Sequence, residues 1–453
     1  RSQDALVGHV RAFQSTGSAP SMTIGTLPNA KPGFDSSATF TRRTGTLRGG
    51  KCAVMGHAVE RSLPDYVALF QRLLRVPTPR NREHAALAMV ADSLRGCGIE
   101  VATFDGRPAG SADEPGPNLF ATIPAAGRGE GRSLLLEAHI DTVPPGREER
   151  WRHGPWSGAI EGTRLYGRGA HDDRGGVALL CMLADLLRQV GAQLGADLYL
   201  LVTSQEEHDC GGMRAFLDQP FFVRPDAALL VDGTGTDDCI HAHPACLSAV
   251  ARFPGPWTTA QGARADDNPI VAMGRFVERL TALAEQTWSG ADADDRRRAL
   301  AAATGVRSSG WISNLPEWCE VDLFANLPTG VGFEDWRLAC EQAANDGSGR
   351  PAQVTLGPLQ IPAFETPLDS PLLECLQQAR EAGFGDGREL QPRRIGGWGD
   401  IGLLGAADAL FYGPGAGAGA HGYDEYYDLD SLAPMLRTLA HLVLRWCGTE
   451  EAT

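Results

Sequence analysis

The chain has 453 residues, of which 43% are hydrophobic and 21% are charged, and these proportions are typical of a globular protein rather than a disordered one. Its 56 acidic residues outnumber its 41 lysines and arginines, so the formal net charge is −15. Because nucleic acids and anionic membranes bind basic surfaces, this charge argues against both as partners. No apolar run reaches the roughly 18 residues that a membrane-spanning helix needs, and the length suggests two or three structural units.

The ten cysteines form no Cys-x-x-Cys pair and show no regular spacing. Scattered cysteines of this kind are typical of buried, reduced thiols rather than of a disulfide framework. We therefore expect a reducing, cytoplasmic compartment.

Residues 1–56 differ from the rest of the chain, because they are rich in Ser, Thr, Gly and Ala and show no hydrophobic periodicity. They also lack the apolar core of a secretory signal. We interpret them as a disordered leader, or as a mis-called start with Met55 as the initiator; an organellar transit peptide would share the composition. Regular patterning begins at Arg61, and Ser62 is predicted to cap a helix that runs to Leu74.

After this helix, helical patterns alternate with short apolar strand patterns. The predicted elements are a helix over 83–94, strands over 99–104, 119–123 and 134–136, a helix over 177–190, and strands over 198–203 and 227–231. Such alternation is typical of an α/β protein in which a mostly parallel sheet is flanked by helices.

The pattern changes in the middle of the chain. Residues 244–357 predict a small α+β unit with strands over 247–253, 306–312, 319–325 and 353–356 and helices over 270–286 and 333–344. The α/β pattern then returns, with a helix from Ser370, strands ending at Ile395 and Tyr412, and a helix over 432–446. We therefore predict a larger domain made of two parts, 57–243 and 358–453, with a smaller domain inserted at 244–357.

Polar side chains follow the predicted strands at their carboxyl ends, where ligands bind in open α/β sheets. His139 and Asp141 follow the strand 134–136. An imidazole with a carboxylate two residues on is typical of a metal ligand with an orienting partner, although an ordinary surface His–Asp pair has the same sequence. A glycine-rich loop then presents Asp172 and Asp173 at the start of a helix, where the acids can bind a metal or cap the helix but would repel a phosphate.

Further acidic side chains and one histidine follow the later strands. Glu206 and Glu207 come after the strand 198–203, Asp232 closes the next strand, and His421 follows a Gly/Ala-rich loop. Adjacent glutamates point in different directions, so one can bind a metal while the other faces a water molecule, although adjacent acids are also common on surfaces. Each motif alone is a weak signal.

Taken together, these motifs offer two imidazoles and three carboxylates, which is a ligand set suited to Zn²⁺, Co²⁺ or Mn²⁺. The candidate ligands are His139, Asp172, Glu207, Asp232 and His421. Five ligands can hold two metals if one carboxylate is shared.

In their order along the chain, the motifs resemble those of the co-catalytic zinc family of acetylornithine deacetylase, succinyl-diaminopimelate desuccinylase, aminoacylase and glutamate carboxypeptidase. The resemblance covers about residues 60–450. It implies two Zn²⁺ per chain, or Co²⁺ or Mn²⁺ in their place, and a cis peptide bond after Asp172. By this resemblance His139 and Asp232 bind one metal, Glu207 and His421 bind the other, Asp172 bridges them, Asp141 orients His139 and Glu206 is the general base.

The inserted domain corresponds to the family's lid, and here the chain departs from the family pattern. The lid histidine is missing, because Thr258 and Thr259 stand in the corresponding stretch, and the lid arginine is replaced by Asn326. Trp398 stands in the loop that is Gly-Gly-Thr in the family. The candidate substrate contacts are Asn268, Gly397, Trp398 and Arg394, and the candidate replacements for the arginine are Arg264, Arg393 and Arg394.

The resemblance implies a cytoplasmic dizinc metallopeptidase or deacetylase, that is, a carboxypeptidase-like amidohydrolase. Its expected substrate is a small N-acyl amino acid or a short peptide, with no nucleic-acid or membrane partner and with a homodimer through the lid. The altered lid leaves open a specialised biosynthetic enzyme that transfers acyl groups or handles amides on the same metal scaffold. A catalytically inactive metal-binding homologue is a third hypothesis, against which the intact pair Glu206 and Glu207 argues.

Overall fold

The computed structural model describes residues 49–448 apart from 79–81, 107–115, 128–130, 292–297, 346–349 and 406–407, and it describes only the backbone of residues 49–53. Residues 1–48 of the predicted leader lie outside the described part. The first helix, α1, spans Gly49–Leu74, so the predicted leader boundary at residue 56 falls inside a helix. Met55 and Val59 are buried because they continue, at helical spacing, the apolar stripe of the helix. Ser62 therefore does not cap a helix, and its hydroxyl accepts a hydrogen bond from Gln189 Nε2 at 3.0 Å.

The other α-helices of the described part follow in chain order. They are α2 (His84–Gly96), α3 (Arg174–Gln189), α4 (Gly211–Leu217), α5 (Pro269–Thr287), α6 (Phe333–Ala344), α7 (Pro371–Phe384), α8 (Ile401–Leu404) and α9 (Leu432–Trp446). Ser370 caps α7 with its hydroxyl, as N-terminal serines commonly do.

The strands of the described part are mostly short. They are β1 (Val101–Gly106), β2 (Gly116–Ile123), β3 (Leu134–His139), β4 (Ala159–Glu161), β5 (Arg164–Tyr166), β6 (Leu198–Thr203), β7 (Ala227–Leu230), β8 (Asp238–His243), β9 (Ala245–Pro254), β10 (Thr258–Thr259), β11 (Leu300–Ser308), β12 (Asn314–Leu315), β13 (Trp318–Leu327), β14 (Gln353–Ile361), β15 (Phe364–Glu365), β16 (Gln391–Arg394), β17 (Asp408–Phe411), β18 (Gly417–Ala418) and β19 (Tyr426–Asp428).

The main sheet has the strand order β1-β2-β6-β3-β7-β17-β8-β15, with β16 paired to β8. Its centre, β6-β3-β7-β17, is parallel. Both faces are covered: Leu134 and Leu136 pack with α1, α3 and α9, whereas Leu135 packs with Phe216 of α4 and Ile401 of α8. This architecture confirms the predicted α/β fold class, and it explains why the central strands are apolar throughout.

The inserted unit forms a separate antiparallel sheet in the order β11-β13-β9-β14. Helices α5 and α6 cover one face of it, where Phe276 and Trp336 join the strand residues Phe253 and Leu323 in one core. The α+β character of the insertion is therefore confirmed. Strand β14 runs to Ile361, beyond the predicted boundary at residue 357.

The parallel strands β3, β6, β7 and β17 all point towards one edge of the main sheet, so their carboxyl ends lie side by side. A small sheet in the order β18-β19-β5-β4 brings the glycine-rich loop after β5 and the loop before β19 together. The fold thus gathers the predicted polar motifs at one place. In the described part of the chain, every helix is too short or too polar to cross a bilayer.

Candidate metal centre

The five predicted metal ligands converge at the carboxyl edge of the main sheet. His139 is the last residue of β3, and its Nε2 lies 3.0 Å from Asp172 Oδ1 and 3.9 Å from Asp232 Oδ2. His421 Nε2 lies 3.1 Å from Asp172 Oδ2 and 2.9 Å from Glu207 Oε2. Each oxygen of Asp172 therefore contacts a different imidazole, which is the arrangement that a bridging carboxylate requires.

Two carboxylate oxygens of this cluster are left without a partner. Glu207 Oε1 and Asp232 Oδ1 are buried and accept no hydrogen bond within the described residues. A buried polar atom without a partner is costly, and a bound cation would remove that cost. The imidazole and carboxylate donors together suit divalent ions such as Zn²⁺, so these residues fit a metal centre.

The pKa values of the candidate ligands are shifted by burial and by their contacts with one another. Burial, with the nearby Asp172 carboxylate, raises the pKa of Asp232 well above its usual range and also raises the pKa of Glu207. The pKa of Asp172 is lowered, because the hydrogen bonds from His139 and His421 outweigh the effect of burial. Hydrogen bonds with Asp172 and Glu207 raise the pKa of His421 to about 10. The imidazoles and carboxylates of the cluster thus shift one another's pKa values strongly, as closely packed ionisable groups do.

The two adjacent glutamates have different surroundings. Among the described residues, a carboxylate oxygen of Glu207 lies within 4.8 Å of ligand atoms of His139 and Asp172. Glu206 belongs to no such group. Glu206 is only 7% exposed, and burial, with a further contribution from Asp400, raises its pKa well above the usual range. This contrast favours Glu207 as the metal ligand and Glu206 as the proton acceptor.

Asp141 connects the first imidazole with the turn that carries both glutamates. Its Oδ1 lies 3.5 Å from His139 Nδ1 and accepts the backbone N–H of Glu206 at 3.2 Å. Its Oδ2 accepts the backbone N–H of Glu207 at 3.3 Å. Asp141 therefore contacts the imidazole, whose Nδ1 also lies 3.2 Å from the Asp141 carbonyl oxygen, and fixes the position of the glutamate turn.

The two adjacent aspartates at the start of α3 have different contacts. A cis peptide bond joins Asp172 and Asp173, as the resemblance implies. Asp173 Oδ1 accepts the backbone N–H of Gly176 at 3.1 Å and caps α3, while its Oδ2 accepts the backbone N–H of His139 at 3.1 Å. Asp173 also lies within 4.8 Å of His139 and Asp232, but both of its oxygens already accept hydrogen bonds. Asp172 is therefore the better candidate ligand.

Glu425 is a site residue that the sequence analysis missed. Its Oε1 accepts the backbone N–H groups of His171 and Asp172 at 2.9 and 3.0 Å. Its Oε2 accepts from Gly169 N at 2.9 Å and from Arg168 Nη1 at 2.6 Å, and both charged side chains are buried. This ion pair holds the loop that presents Asp172. Both residues lie inside recognised motifs, but no sequence signal pairs them.

The predicted substrate contacts lie outside the ligand cluster. Asn268 caps α5, because its Oδ1 accepts the backbone N–H of Ile270 at 3.0 Å. Gly397 and Trp398 lie in the loop after β16, and Trp398 packs against Phe324 of the inserted sheet, with ring centroids 5.3 Å apart. The structure thus places this loop between the two sheets.

The three arginines considered as a carboxylate clamp each have an acidic neighbour. Arg394 is paired with Glu365, and Arg393 Nε lies 3.0 Å from Asp238 Oδ1. Arg264 is exposed, and its Nη2 lies 4.0 Å from Asp266 Oδ2.

The two histidines before the inserted unit lie in β8, a main-sheet strand that the sequence analysis did not predict. His241 Nδ1 donates to the carbonyl of Thr366 at 3.0 Å, and His243 Nδ1 donates to the carbonyl of Pro244 at 2.7 Å. Burial lowers the pKa of His243 to about 4. Both rings are therefore held by the backbone.

Comparison with known proteins agrees with this geometry. The sequence profile of Peptidase family M20/M25/M40 matches residues 135–445, which is more than half of the chain and includes every candidate ligand. The chain belongs to this family. Membership confirms the resemblance drawn from the motifs, and it places the five ligands and Glu206 within the matched region.

Individual family members match over different lengths. Succinyl-diaminopimelate desuccinylase from Methylobacterium sp. is 41% identical over 149 residues, which are 32% of this chain and 35% of that protein, so the chain spans about a third of the length of this relative. Acetylornithine deacetylase from Edwardsiella ictaluri is 26% identical over 414 residues, 85% of this chain and 98% of that protein. The solved structure of the di-peptidase Dug1p from Saccharomyces cerevisiae superposes with a TM-score of 0.71 at 15% identity, covering 88% of this chain and 99% of that chain. This last match shows the shared fold.

Proposed function

We propose that the chain is a dimetal hydrolase that cleaves the amide bond of a small N-acyl amino acid or dipeptide-like substrate. The observation that carries this proposal is the contact of Asp172 with both His139 and His421, beside the buried Glu206. The names of the relatives support it, because a desuccinylase, a deacetylase and a di-peptidase each break an amide bond.

The contacts within the cluster support the ligand assignment that the resemblance implies. His139 and Asp232 would hold one divalent cation, Glu207 and His421 would hold the other, and Asp172 would be shared between them. We propose Zn²⁺ in both positions, with Co²⁺ or Mn²⁺ as substitutes. When bound, such ions polarise the scissile carbonyl and make water a better nucleophile near neutral pH.

Glu206 takes the proton of the attacking water and returns it to the leaving amine. Its burial and its raised pKa suit this role, because a carboxylate with a pKa closer to neutral can both accept and donate a proton. Asp141 holds the backbone of Glu206 and so keeps the base in position.

The test is hydrolysis of a panel of N-acetyl and N-succinyl amino acids and dipeptides by the full chain loaded with Zn²⁺. We expect release of free amino acid that stops when the metal is chelated and returns when it is restored. A chelator-insensitive activity, or no release from any member of the panel, would contradict the proposal. Transfer of the acyl group to an added amine, without release of free acid, would favour the biosynthetic alternative.

The inserted unit has no histidine at the position where the resemblance to the family implies one. Thr258 and Thr259 form the exposed strand β10 instead. Because the rings of His241 and His243 are tied to backbone carbonyls, we expect that neither replaces it. The variants His241→Ala and His243→Ala should therefore lose far less kcat than the 10²–10³-fold typical of a lost oxyanion donor. Metal content is measured alongside, and a loss above about a hundredfold with metals retained would contradict this expectation.

A homodimer through the inserted unit remains a prediction. Its strand β11 lies at the edge of the sheet, and Val306 on it is exposed, as is Ile312 a few residues later. Exposed edge strands readily pair with another chain. Sedimentation velocity of the full chain would show whether its mass is that of a dimer.

A further inference from the structure

His421 is the most exposed of the five candidate metal ligands. Its side chain is 57% exposed, whereas that of His139 is fully buried. His139 ends a strand of the main sheet, but His421 lies in the loop before β19. The position of the His421 imidazole therefore depends on the contacts that hold this loop.

The backbone of His421 adopts an unusual conformation. Its φ angle is 58°, in the left-handed region that residues other than glycine rarely adopt. Asp424, three residues later, has a φ angle of 57°. Such residues persist where surrounding contacts hold the backbone in place. The contacts of residues 422–424 therefore determine where the imidazole lies.

A loop from a distant part of the chain supplies several of these contacts. Residues 145–152, which we call the supporting loop, follow the motif that contains His139. The supporting loop contains a 3₁₀ turn over Glu148–Arg150, and Trp151 Nε1 donates to the carbonyl of Pro145 at 2.9 Å. This hydrogen bond joins the two ends of the supporting loop.

The side chain of Tyr423 packs against the supporting loop. The guanidinium carbon of Arg150 lies 4.3 Å from the centroid of the Tyr423 ring, and the Trp151 ring meets the same ring edge-on, with centroids 6.2 Å apart. The backbone N–H of Arg147 donates to the Tyr423 hydroxyl at 3.4 Å. A Cβ atom on Gly146 would lie only 3.0 Å from the hydroxyl oxygen, so the supporting loop fits closely around this side chain.

Hydrogen bonds hold the residues on either side of Tyr423. The backbone N–H of Arg152 donates to Asp424 Oδ1 at 2.7 Å, and Arg168 Nη2 donates to the carbonyl of Gly422 at 2.7 Å. The guanidinium carbon of Arg168 also lies 5.1 Å from the indole centroid of the supporting loop. The three residues that follow the exposed imidazole are thus each held by a distant part of the chain.

We propose that Tyr423 is a positioning residue, which anchors its own loop on the supporting loop and so holds the imidazole of His421 beside Glu207, where one of the two cations would bind. The inference rests on the proposed function, since it concerns one of the two proposed metal ions. His421 Nε2 lies 2.9 Å from Glu207 Oε2, so a shift of the loop would separate these two ligands.

The other cation should not depend on Tyr423. Its proposed ligands His139 and Asp232 lie at the carboxyl ends of β3 and β7, in the centre of the main sheet. The loop of the shared ligand Asp172 is held by Glu425. Loss of Tyr423 should therefore weaken the binding of one ion and spare the other, which a general loss of stability would not do.

The test measures zinc binding by the full chain, loaded with Zn²⁺ and then equilibrated with buffers of decreasing free Zn²⁺. We expect Tyr423→Ala to release one of its two ions at a free Zn²⁺ concentration about 10–100-fold higher than the wild-type chain does, the usual effect of losing a residue that orients a metal ligand. The second ion should be held as tightly as in the wild-type chain. Tyr423→Phe should behave like the wild-type chain, because it keeps both ring contacts and loses only the hydrogen bond of 3.4 Å.

Tyr426→Ala is the matched control, because it removes another half-buried tyrosine with similar neighbours. The guanidinium carbon of Arg164 lies 4.4 Å from the centroid of the Tyr426 ring, and the Tyr166 ring lies 5.8 Å from it. These contacts lie within the small sheet and not at the supporting loop. This variant should hold both ions as the wild-type chain does.

Wild-type affinity for both ions in Tyr423→Ala would overturn the proposal, and so would an equal weakening of both ions or the same loss in Tyr426→Ala. If Tyr423→Ala does not fold, Arg150→Ala takes its place, because it removes one contact of an exposed side chain with the ring. We expect Arg150→Ala to weaken the binding of one ion severalfold, and unchanged binding would overturn the proposal.

The two proposals can fail separately. A wild-type chain that binds two ions but hydrolyses no member of the panel would contradict the proposed function, whereas zinc binding by Tyr423→Ala would still support or overturn the positioning role. A wild-type chain that binds a single ion would overturn both proposals.

Discussion

Replacing Glu206 by Gln is expected to leave both metals bound and to lower kcat by roughly 10²–10⁴-fold, the usual contribution of a general base. Glutamine keeps the size of the side chain but cannot accept the proton of the attacking water. Because Glu207, not Glu206, contacts His421, the metal ligands should be unaffected. Steady-state kinetics on the best substrate of the panel and elemental analysis of the same sample check both parts of this prediction.

Glu207→Gln is the matched control, because it makes the same chemical change one residue along. We expect this variant to lose metal, since Glu207 Oε2 lies 2.9 Å from His421 Nε2 and its other oxygen has no partner within the described residues. If Glu206→Gln loses metal and Glu207→Gln retains it, the roles assigned to the two residues are exchanged.

Replacing Glu425 by Ala is expected to lower the free energy of unfolding by about 3–5 kcal/mol, the cost of breaking a buried ion pair. The change leaves Arg168 buried without its charge partner. It also removes the acceptor of three backbone N–H groups, those of Gly169, His171 and Asp172. Urea unfolding of the metal-loaded chain measures the loss.

The control for Glu425 is Glu161→Ala, which breaks an ion pair on the surface. Glu161 Oε1 lies 2.7 Å from Arg152 Nη2, but both side chains are largely exposed. Exposed pairs contribute at most about 1 kcal/mol, so this variant should be close to wild type. Similar small losses in the two variants would show that the loop carrying Asp172 does not depend on Glu425.

The candidate ligands could be predicted from the sequence because each follows a recognisable local pattern. His139 ends one buried apolar strand, and Glu207 and Asp232 lie in the turns that follow two others. The parallel order of β3, β6 and β7 brings those strand ends together. The local sequence pattern and the strand order therefore both predict a site at the carboxyl edge of the main sheet. The assignment of Glu206 as the base remains a prediction that the geometry favours.

Other features depend on contacts between distant parts of the chain, which a single sequence does not reveal. Arg168 and Glu425 are 257 residues apart, and only the pairing of β5 with β19 brings their loops together. Strand β8 was missed because its first aspartate and its two histidines interrupt the apolar pattern that is typical of a buried strand. The start of α1 at Gly49 was missed because its first turns contain Gly49, Gly50 and Gly56, and glycine disfavours helix.

In the inserted unit, too, contacts between distant parts of the chain could not be predicted. Its helices and most of its strands were predicted close to their observed positions, but the strand predicted over 306–312 lies at Leu300–Ser308. The role of Asn326 was not predicted either. The sequence shows only that an asparagine stands where the family has an arginine, whereas the structure shows its amide bonded to Gly396, Arg298 and Cys246. The asparagine thus links the inserted sheet to the loop that carries Trp398.

If five side chains form one centre for two metals, with Asp172 shared between them, the metal content of the chain follows. Elemental analysis of the full chain, loaded with Zn²⁺ and freed of excess ion, measures it. We expect two zinc ions per chain, and no more than one in Asp172→Asn. A ceiling of one tightly bound zinc ion in the wild-type chain would contradict the bridging role of Asp172 and the two-metal centre with it.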